Sequence, residues 1–321
     1  MNLFSKARVS RALILLLVIS LSLLCFASCD GGDELGGEKI EFTDALGRRV
    51  SVEKNPKRTA ALLGSFADVW MLAGGDIAAT SSDAWEDFGL DLPDAINIGG
   101  AHSPSLELLI SANPDFVIAS ASTASNVAMR DTLEAMKITV AYFDVDSFED
   151  YLEMLRILTR ITGRDDLYIK NGLELQGKIE EVKSLYKNSP IPASERKILI
   201  LRAASSFVKA KGSTGTVLGE MLADMGCINI ADSDASVLEN LSLEAIMREN
   251  PYHIFIVTMG NDTEKAIEAV WKMINDSPAW QSLDAVRENR IHFMDKKLFN
   301  LKPNDEWAEA YEILYKTLTE K

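Results

Sequence analysis

Cysteine, histidine and positive charge are all scarce in this chain of 321 residues. Three cysteines and three histidines are too few for a disulfide framework, and they argue against a metal site built from imidazole and thiolate groups. Lys and Arg number 33 against 48 Asp and Glu, which gives a formal charge of −15. Because phosphate backbones and anionic lipid surfaces repel an acidic protein, we expect neither nucleic acid nor a bare lipid surface as a partner.

Catalytic motifs are missing as well. The chain has no Gly-x-Ser-x-Gly elbow, no phosphate-binding loop and no dinucleotide-binding glycine pattern. Acidic pairs such as Glu86-Asp87 and Asp165-Asp166 are predicted to be solvated. We therefore expect no catalytic residues, no cofactor and no enzymatic activity. A secreted hydrolase that uses carboxylates is the alternative from a different class.

Long apolar runs are missing except near the N-terminus. Ala12 to Leu24 is almost continuously apolar, and it follows the basic residues Lys6, Arg8 and Arg11. This pattern predicts a secretory signal peptide over residues 1–28, since the run is shorter than the roughly 20 residues of a membrane span. Removal of the peptide takes away these three positive charges and no negative one, which shifts the formal charge from −15 to −18.

The stretch Phe26-Ala27-Ser28-Cys29 resembles the lipobox of bacterial lipoproteins, in which the cysteine becomes the lipidated N-terminus. The resemblance implies lipidation of Cys29 and an extracytoplasmic chain that its lipid anchors to the cell membrane. Residues 29–38 are rich in Gly, Asp and Glu and are predicted to be a flexible tether. Plain secretion with a free Cys29 is the alternative. Cys227 is predicted to be a buried apolar thiol.

One stretch occurs twice in the chain. Ser105-Leu106-Glu107 and Asn113-Pro114 recur 137 residues later as Ser242-Leu243-Glu244 and Asn250-Pro251, and an apolar run follows each copy. This spacing indicates one α/β unit used twice rather than a short solenoid repeat. Two similar lobes imply a cleft between them, which is a favoured place for a small ligand.

Predicted strands and helices alternate along the rest of the chain. The alternation indicates an α/β fold of two Rossmann-like lobes with mostly parallel sheets. A long periodic segment, Asp165–Tyr186, separates the two copies of the repeat and is predicted to be a rigid helix that joins the lobes. An ordinary crossover helix inside one domain is the alternative. The predicted divisions are an N-terminal lobe over residues 39–162, a linking helix over 163–188 and a C-terminal lobe over 189–321.

Parallel sheets bind ligands beyond the carboxyl ends of their strands, so the loops at that rim are the predicted ligand site. Arg202 ends a predicted strand there, and its guanidinium can pair with a carboxylate or an anionic chelate; a surface ion pair is the alternative. Aromatic side chains in predicted rim loops can stack on a flat ligand. The predicted ligand-binding residues are Ser65, Phe66, Trp85, His102, Arg202, Phe207, Met259 and Phe299.

The histidines and two lysines have simpler interpretations. His102 is in a predicted loop, and an axial role on haem stays open for it. His253 and His292 fall inside predicted strands, where they are expected in the core or on the sheet surface. Lys209 and Lys211 alternate along a predicted strand and are expected on its solvated face. No metal site formed by the protein itself is predicted.

The order of these parts resembles the substrate-binding proteins of ABC importers that capture ferric siderophores, haem or cobalamin. The resemblance extends over nearly the whole mature chain, about Glu38 to Lys321. It depends on the order and spacing of the stretches Arg58-Thr59-Ala60-Ala61-Leu62, Pro104-Ser105-Leu106-Glu107, Asn113-Pro114, Gly226-Cys227-Ile228-Asn229, Ser242-Leu243-Glu244, Asn250-Pro251 and Pro278-Ala279-Trp280. It implies two lobes joined by one long helix, a metal chelate as ligand, and a monomer that serves a permease with a cytoplasmic ATPase.

In that family, one acidic residue on each lobe docks with arginines of the permease, and Glu107 and Glu244 match those positions. The alternative is local, because a carboxylate in the first turn of a helix stabilises it by about 0.3–1 kcal/mol. The resemblance thus implies a lipid-anchored receptor for a ferric siderophore or haem. A cobalamin receptor, and a binding protein that feeds a sensor instead of a permease, are the alternatives.

Overall fold

The computed structural model describes residues 37–260 and 262–320, so the predicted signal peptide, Cys29 and most of the tether lie outside the described residues. From Lys39 onward the chain forms one compact unit. Within the described part, no helix has the length and apolar character that a membrane crossing requires.

Fourteen strands and sixteen α-helices are described over these ranges. The strands are β1 Lys39–Thr43, β2 Arg49–Glu53, β3 Thr59–Ala61, β4 Ile77–Thr80, β5 Ile96–Asn97, β6 Gly99–Gly100, β7 Ser103–Pro104, β8 Phe116–Ser120, β9 Thr139–Phe143, β10 Lys197–Ala204, β11 Phe207–Lys211, β12 Ile228–Asn229, β13 His253–Thr258 and β14 Ile291–Met294. The helices are α1 Gly64–Leu72, α2 Asp83–Glu86, α3 Leu106–Ser111, α4 Ala124–Ala128, α5 Arg130–Ala135, α6 Phe148–Thr162, α7 Asp165–Tyr168, α8 Glu174–Lys187, α9 Val217–Met225, α10 Ala235–Asn240, α11 Leu243–Glu249, α12 Thr263–Asn275, α13 Pro278–Gln281, α14 Asp284–Arg287, α15 Lys296–Phe299 and α16 Trp307–Thr319.

The first large sheet is entirely parallel. Its strands follow the order β5-β4-β3-β8-β9, with β3 and β8 paired in the register Thr59 to Phe116 and Ala61 to Ile118. All five residues of β8 are buried, as expected for a parallel strand that helices cover on both faces. The hairpin of β1 and β2 forms a separate antiparallel pair. This sheet confirms the α/β prediction for the first half of the chain.

The second large sheet repeats the parallel pattern and adds an antiparallel edge. Strands β10, β13 and β14 are parallel neighbours, and β12 also pairs with β10 in parallel. Strand β11 turns back antiparallel to β10, which places Lys209 opposite Arg202 and leaves Lys209 exposed. The solvated strand face predicted for Lys209 is therefore confirmed, while Lys211 is only partly exposed.

The two copies of the repeated stretch adopt the same local structure. The Oγ atom of Ser105 accepts a hydrogen bond from Leu108 N at 3.3 Å, and Ser242 caps α11 in the same way. Each helix is followed by an asparagine with positive φ, 49° for Asn113 and 43° for Asn250, a conformation that asparagine tolerates at helix ends. Proline comes next in both copies and cannot continue a helix. A short helix that leads into a buried strand thus occurs twice, as predicted, and a serine caps it in both copies.

The predicted linking helix is helical but interrupted. Helices α7 and α8 are joined by a π-helical turn, Ile169–Leu173. A Cβ atom at Gly172 would lie 2.7 Å from the side chain of Leu152, so the glycine allows close packing against α6. The carbonyl oxygen of Asn171, within this turn, accepts a hydrogen bond from the hydroxyl of Tyr151 at 2.8 Å. The division into lobes at residues 163–188 stays a prediction.

Candidate ligand-binding cleft

A cleft of about 340 Å³ lies where the carboxyl ends of strands from both sheets meet. Leu63 follows β3, Ser120 ends β8, and Asp146 follows β9. From the second sheet, Arg202 lies near the end of β10 and Met259 follows β13. The strands bring these residues together because the carboxyl ends of parallel strands share one edge of a sheet.

A second concavity, of about 400 Å³, lies between α8 and α16 but has a different character. Carboxylates dominate its lining, which includes Asp305, Glu306, Glu309 and Glu312. No end of a strand opens into it. The cleft between the sheets is therefore the better candidate for a ligand site.

Two longer helices begin at the cleft, and their N-terminal ends provide partial positive charge. Helix α1 starts at Gly64, whose backbone N donates to Asp83 Oδ2 at 2.9 Å. A Cβ atom at Gly64 would lie 2.4 Å from the backbone N of Ala84, so only glycine fits this approach. Helix α9 starts beside the cleft after Thr216, whose Oγ1 accepts a hydrogen bond from Gly219 N.

Arg202 is the charged side chain in the cleft that lacks a partner. Its Nε atom is buried without a hydrogen bond, and the side chain forms no ion pair with any described residue. Burial lowers the pKa of Arg202, and the charge of the nearby Asp146 opposes that shift. An arginine remains charged at neutral pH even so. A half-buried guanidinium with no partner among the described residues is suited to an anionic group of a ligand.

Two lysines in the segment after β14 form ion pairs beside the cleft. Lys302 Nζ lies 3.0 Å from Asp146 Oδ1, and Lys296 Nζ lies 2.7 Å from Asp87 Oδ1. Both lysines come from the C-terminal part of the chain, and both carboxylates come from the N-terminal part. These pairs fasten the 296–302 segment to the N-terminal rim of the cleft.

Asn304 forms a further contact between the C-terminal and N-terminal parts of the chain, and it lies inside the protein. It is 1% exposed, and its Nδ2 donates to the backbone oxygen of Ser65 at 3.0 Å and to Asp68 Oδ2 at 2.7 Å. Burial raises the pKa of Asp68, and the hydrogen bond from Asn304 opposes that rise. The first turn of α1, which carries Ser65 and Phe66 into the cleft, is thereby held from the C-terminal side.

The remaining lining is divided between hydroxyl groups and apolar side chains. Ser120 Oγ lies 3.1 Å from the hydroxyls of both Ser122 and Thr123. The buried Asn126 holds this loop by accepting a hydrogen bond from Ser120 N at 3.0 Å. The apolar lining residues are Leu63, Phe66, Phe88, Ala101, Val145, Val217, Met259 and Leu301.

Five of the eight predicted ligand-binding residues line the cleft: Ser65, Phe66, His102, Arg202 and Met259. Phe66 reaches it from the first turn of α1 rather than from the predicted loop, because the helix begins at Gly64.

The other three predicted residues lie elsewhere. Trp85 is half-buried within the short helix α2, and Phe207 is 36% exposed at the edge of the second sheet. Phe299 was expected in a rim loop, but it ends helix α15 and is 1% exposed in the core. Asp295 caps that helix by accepting a hydrogen bond from Leu298 N at 2.9 Å. Phe88 lines the cleft instead and was not predicted.

His253 and His292 lie in adjacent strands of the second sheet, as predicted, with Nδ1 of His253 and Nε2 of His292 2.9 Å apart. Burial lowers the pKa of His253 to about 3 and that of His292 to about 4, so both rings are neutral at physiological pH. His102 is exposed at the cleft. The described residues contain no group of three or more side chains that would suit a metal ion.

Cys227, Glu107 and Glu244 are the remaining described residues for which the sequence predicts a role. Cys227 is partly buried with its sulfur 3.8 Å from the hydroxyl of Tyr186, and burial raises the pKa of the thiol to about 11. Such a thiol is protonated and unreactive at neutral pH. Glu107 and Glu244 are the second residues of α3 and α11, both exposed, and neither side chain has a partner among the described residues.

Residues 60–298 match the family described as periplasmic binding protein. The chain belongs to this family. It is 23% identical over 318 residues to the putative ABC transporter substrate-binding lipoprotein YhfQ of Bacillus subtilis, which covers 94% of this chain and 95% of that protein. It is 22% identical over 294 residues to the iron-uptake system-binding protein of the same organism, which covers 89% of this chain and 90% of that protein.

The fold is similar to that of Staphylococcus aureus SirA complexed with staphyloferrin B. The TM-score is 0.66 at 20% identity, and the match covers 87% of this chain and 98% of SirA. The family match and this likeness confirm the resemblance that the sequence predicted and the two-lobed α/β fold. Membership makes the chain a substrate-binding protein of the kind that serves ABC importers.

Proposed function

We propose that this protein captures a ferric chelate in the cleft between its two sheets and delivers it to a membrane permease. The names of similar proteins support the ligand class, since one is an iron-uptake system-binding protein and SirA was solved with staphyloferrin B. The observation that carries the proposal is Arg202, a half-buried guanidinium that lines the cleft and has no partner among the described residues. Hydroxyls and aromatic rings around it suit the oxygen-rich and planar parts of such a ligand.

Haem is the second candidate, and the positions of His102 and Met259 favour it. Both residues line the cleft, one from each half of the chain. Histidine and methionine are a known axial pair for haem iron. A shift of the haem absorption band on binding, lost when either residue is replaced by alanine, would support haem over a siderophore.

Permease docking is proposed for Glu107 and Glu244. Both carboxylates are exposed, unpartnered and placed at the same position of a repeated helix, which suits a partner with two equivalent halves. Apolar side chains accompany them, since Leu108 is 43% and Met247 is 45% exposed. Docking through these residues would leave the cleft itself unobstructed.

The lipid anchor is proposed from the sequence alone. Cys29 precedes the described residues by eight positions, and a tether of this composition would separate the folded part from the membrane. Metabolic labelling with a radioactive fatty acid should mark the wild-type chain and should fail to mark Cys29→Ala.

A calorimetric titration of the purified mature chain tests the ligand class. The panel comprises ferric hydroxamate, catecholate and carboxylate chelates, haemin and cobalamin, each with its metal-free form as control. We expect submicromolar binding of one class of iron complex. Failure of every iron complex to bind, or a preference for cobalamin, would contradict the proposed ligand.

A further inference from the structure

The charges in the cleft also restrict the charge of the ligand. We propose, as an inference that rests on the proposed function, that Asp146 is a specificity-determining residue. The cleft accepts a chelate that presents one anionic group and discriminates against a chelate that presents several. The argument depends on which charged side chains line the cleft and which of them are already paired.

Two cations and two carboxylates line the cleft: Arg202 and Lys302, with Asp83 and Asp146. Their formal charges cancel. Asp83 is already engaged, because one carboxylate oxygen accepts a hydrogen bond from Gly64 N at 2.9 Å and the other accepts one from the Ser81 hydroxyl. It therefore belongs to the start of α1 and is not available to balance a ligand cation.

Asp146 and Lys302 are likewise paired with each other. Their charged atoms are 3.0 Å apart, and the side chains are 32% and 19% exposed. A half-buried pair of this kind is screened less than a surface pair. Arg202 therefore remains as the cation in the cleft that a ligand can neutralise without breaking a contact within the protein.

Lys211 lies on β11, the strand that pairs with the strand of Arg202, and it does not line the cleft. Burial, and then the charges of Arg202 and Lys209, lower its pKa. It therefore offers a ligand no second cation in the cleft.

A chelate with several carboxylates would find one free cation in the cleft, Arg202, because Asp146 already pairs with Lys302. A second carboxylate would have to compete with Asp146 for Lys302, and such competition between like charges is a source of discrimination. The wall formed by Ser120, Ser122 and Thr123 offers hydroxyls rather than cations. Neutral oxygens of a ligand can hydrogen-bond there, whereas extra carboxylates would find no counter-charge.

Three ferric probes distinguish these cases. Ferric dicitrate presents several carboxylates, a ferric trihydroxamate with one free carboxylate presents a single anion, and the same trihydroxamate with that carboxylate amidated is neutral. The wild-type chain should bind the single-anion probe most tightly. Asp146→Asn should tighten binding of ferric dicitrate by about tenfold or more, equivalent to about 1.4 kcal/mol. It should leave the neutral probe within about twofold of wild type.

Two controls separate the charge of Asp146 from other effects. The double variant Asp146→Asn with Lys302→Met removes the pair as a unit, so its preference among the probes should return to that of the wild type. Glu181→Gln makes the same change of charge on the exposed face of α8, outside the cleft, and should change no affinity. Circular dichroism of each variant establishes that it is folded.

The outcomes separate this inference from the proposed function. Tighter wild-type binding of ferric dicitrate than of the single-anion probe would overturn the inference while supporting a ferric ligand. An unchanged affinity of Asp146→Asn for ferric dicitrate would also overturn it. If no ferric probe binds to any folded variant, the proposed function itself fails, and the inference fails with it.

Discussion

Replacing Asn304 by alanine should destabilise the folded chain by about 2.5–4 kcal/mol. The variant loses the donor to Ser65 O and to the Asp68 carboxylate, and hydrogen bonds to a charged group are worth about 1.5–3 kcal/mol. Asn304 also has a φ of 54°, and the left-handed conformation costs an alanine about 1 kcal/mol more. Urea unfolding at neutral pH, followed by circular dichroism, measures the free energy of unfolding directly.

Two further variants separate the contributions. Asn304→Gly adopts the positive φ without strain, so it should lose only the hydrogen-bond part, about 1.5–3 kcal/mol. Asn289 has a φ of 56° but is exposed, so Asn289→Ala should lose only the conformational part, about 1 kcal/mol. If Asn304→Ala costs no more than Asn289→Ala, the two hydrogen bonds do not hold the start of α1, and the reasoning is refuted.

Three other perturbations test the stability and the partner. Relative to the wild type, Asp68→Asn should stabilise the chain increasingly as the pH rises above about 4. Burial raises the pKa of the Asp68 carboxyl, so the wild type loses stability as this group ionises. A difference in unfolding free energy that does not change with pH would contradict this. Gly64→Ala should lower the unfolding free energy by about 1–3 kcal/mol, because the added methyl group would overlap with Ala84. Gly177→Ala has open space around it and should raise the unfolding free energy by about 0.5–1 kcal/mol. Equal effects of the two substitutions would refute the packing argument. Replacing Glu107 and Glu244 together by alanine should reduce uptake in cells and leave ligand affinity unchanged. Normal uptake by the double variant would exclude docking through them.

Local signals in the sequence predicted the repeated unit well. The conformations of a serine at the start of a helix and of an asparagine followed by proline at its end depend on nearby backbone groups. They can therefore be predicted without knowledge of the fold. In the structure Ser105 and Ser242 cap the two helices. The alternation of apolar runs likewise predicted two sheets of parallel strands.

The content of the cleft was predicted only in part, because it depends on contacts between distant segments. Asp146 and Lys302 are 156 positions apart, and nothing near either residue indicates that they pair. Phe88 and Phe299 show the same limit: Phe88 was not predicted at the site but lines the cleft, whereas Phe299 was predicted at the rim but lies in the core. Periodicity assigns a residue to an element, whereas tertiary packing decides which way its side chain points.

The most direct test of the central claim compares ligand affinity between Arg202→Gln and Lys209→Gln. The two residues are opposite each other on neighbouring strands, and the substitutions make the same change of charge, but only Arg202 lines the cleft. Loss of a charge-assisted hydrogen bond predicts about ten- to a hundredfold weaker binding of the ferric chelate by Arg202→Gln. Lys209→Gln should bind as tightly as the wild type. Equal affinities for the two variants would contradict capture of the ligand in this cleft.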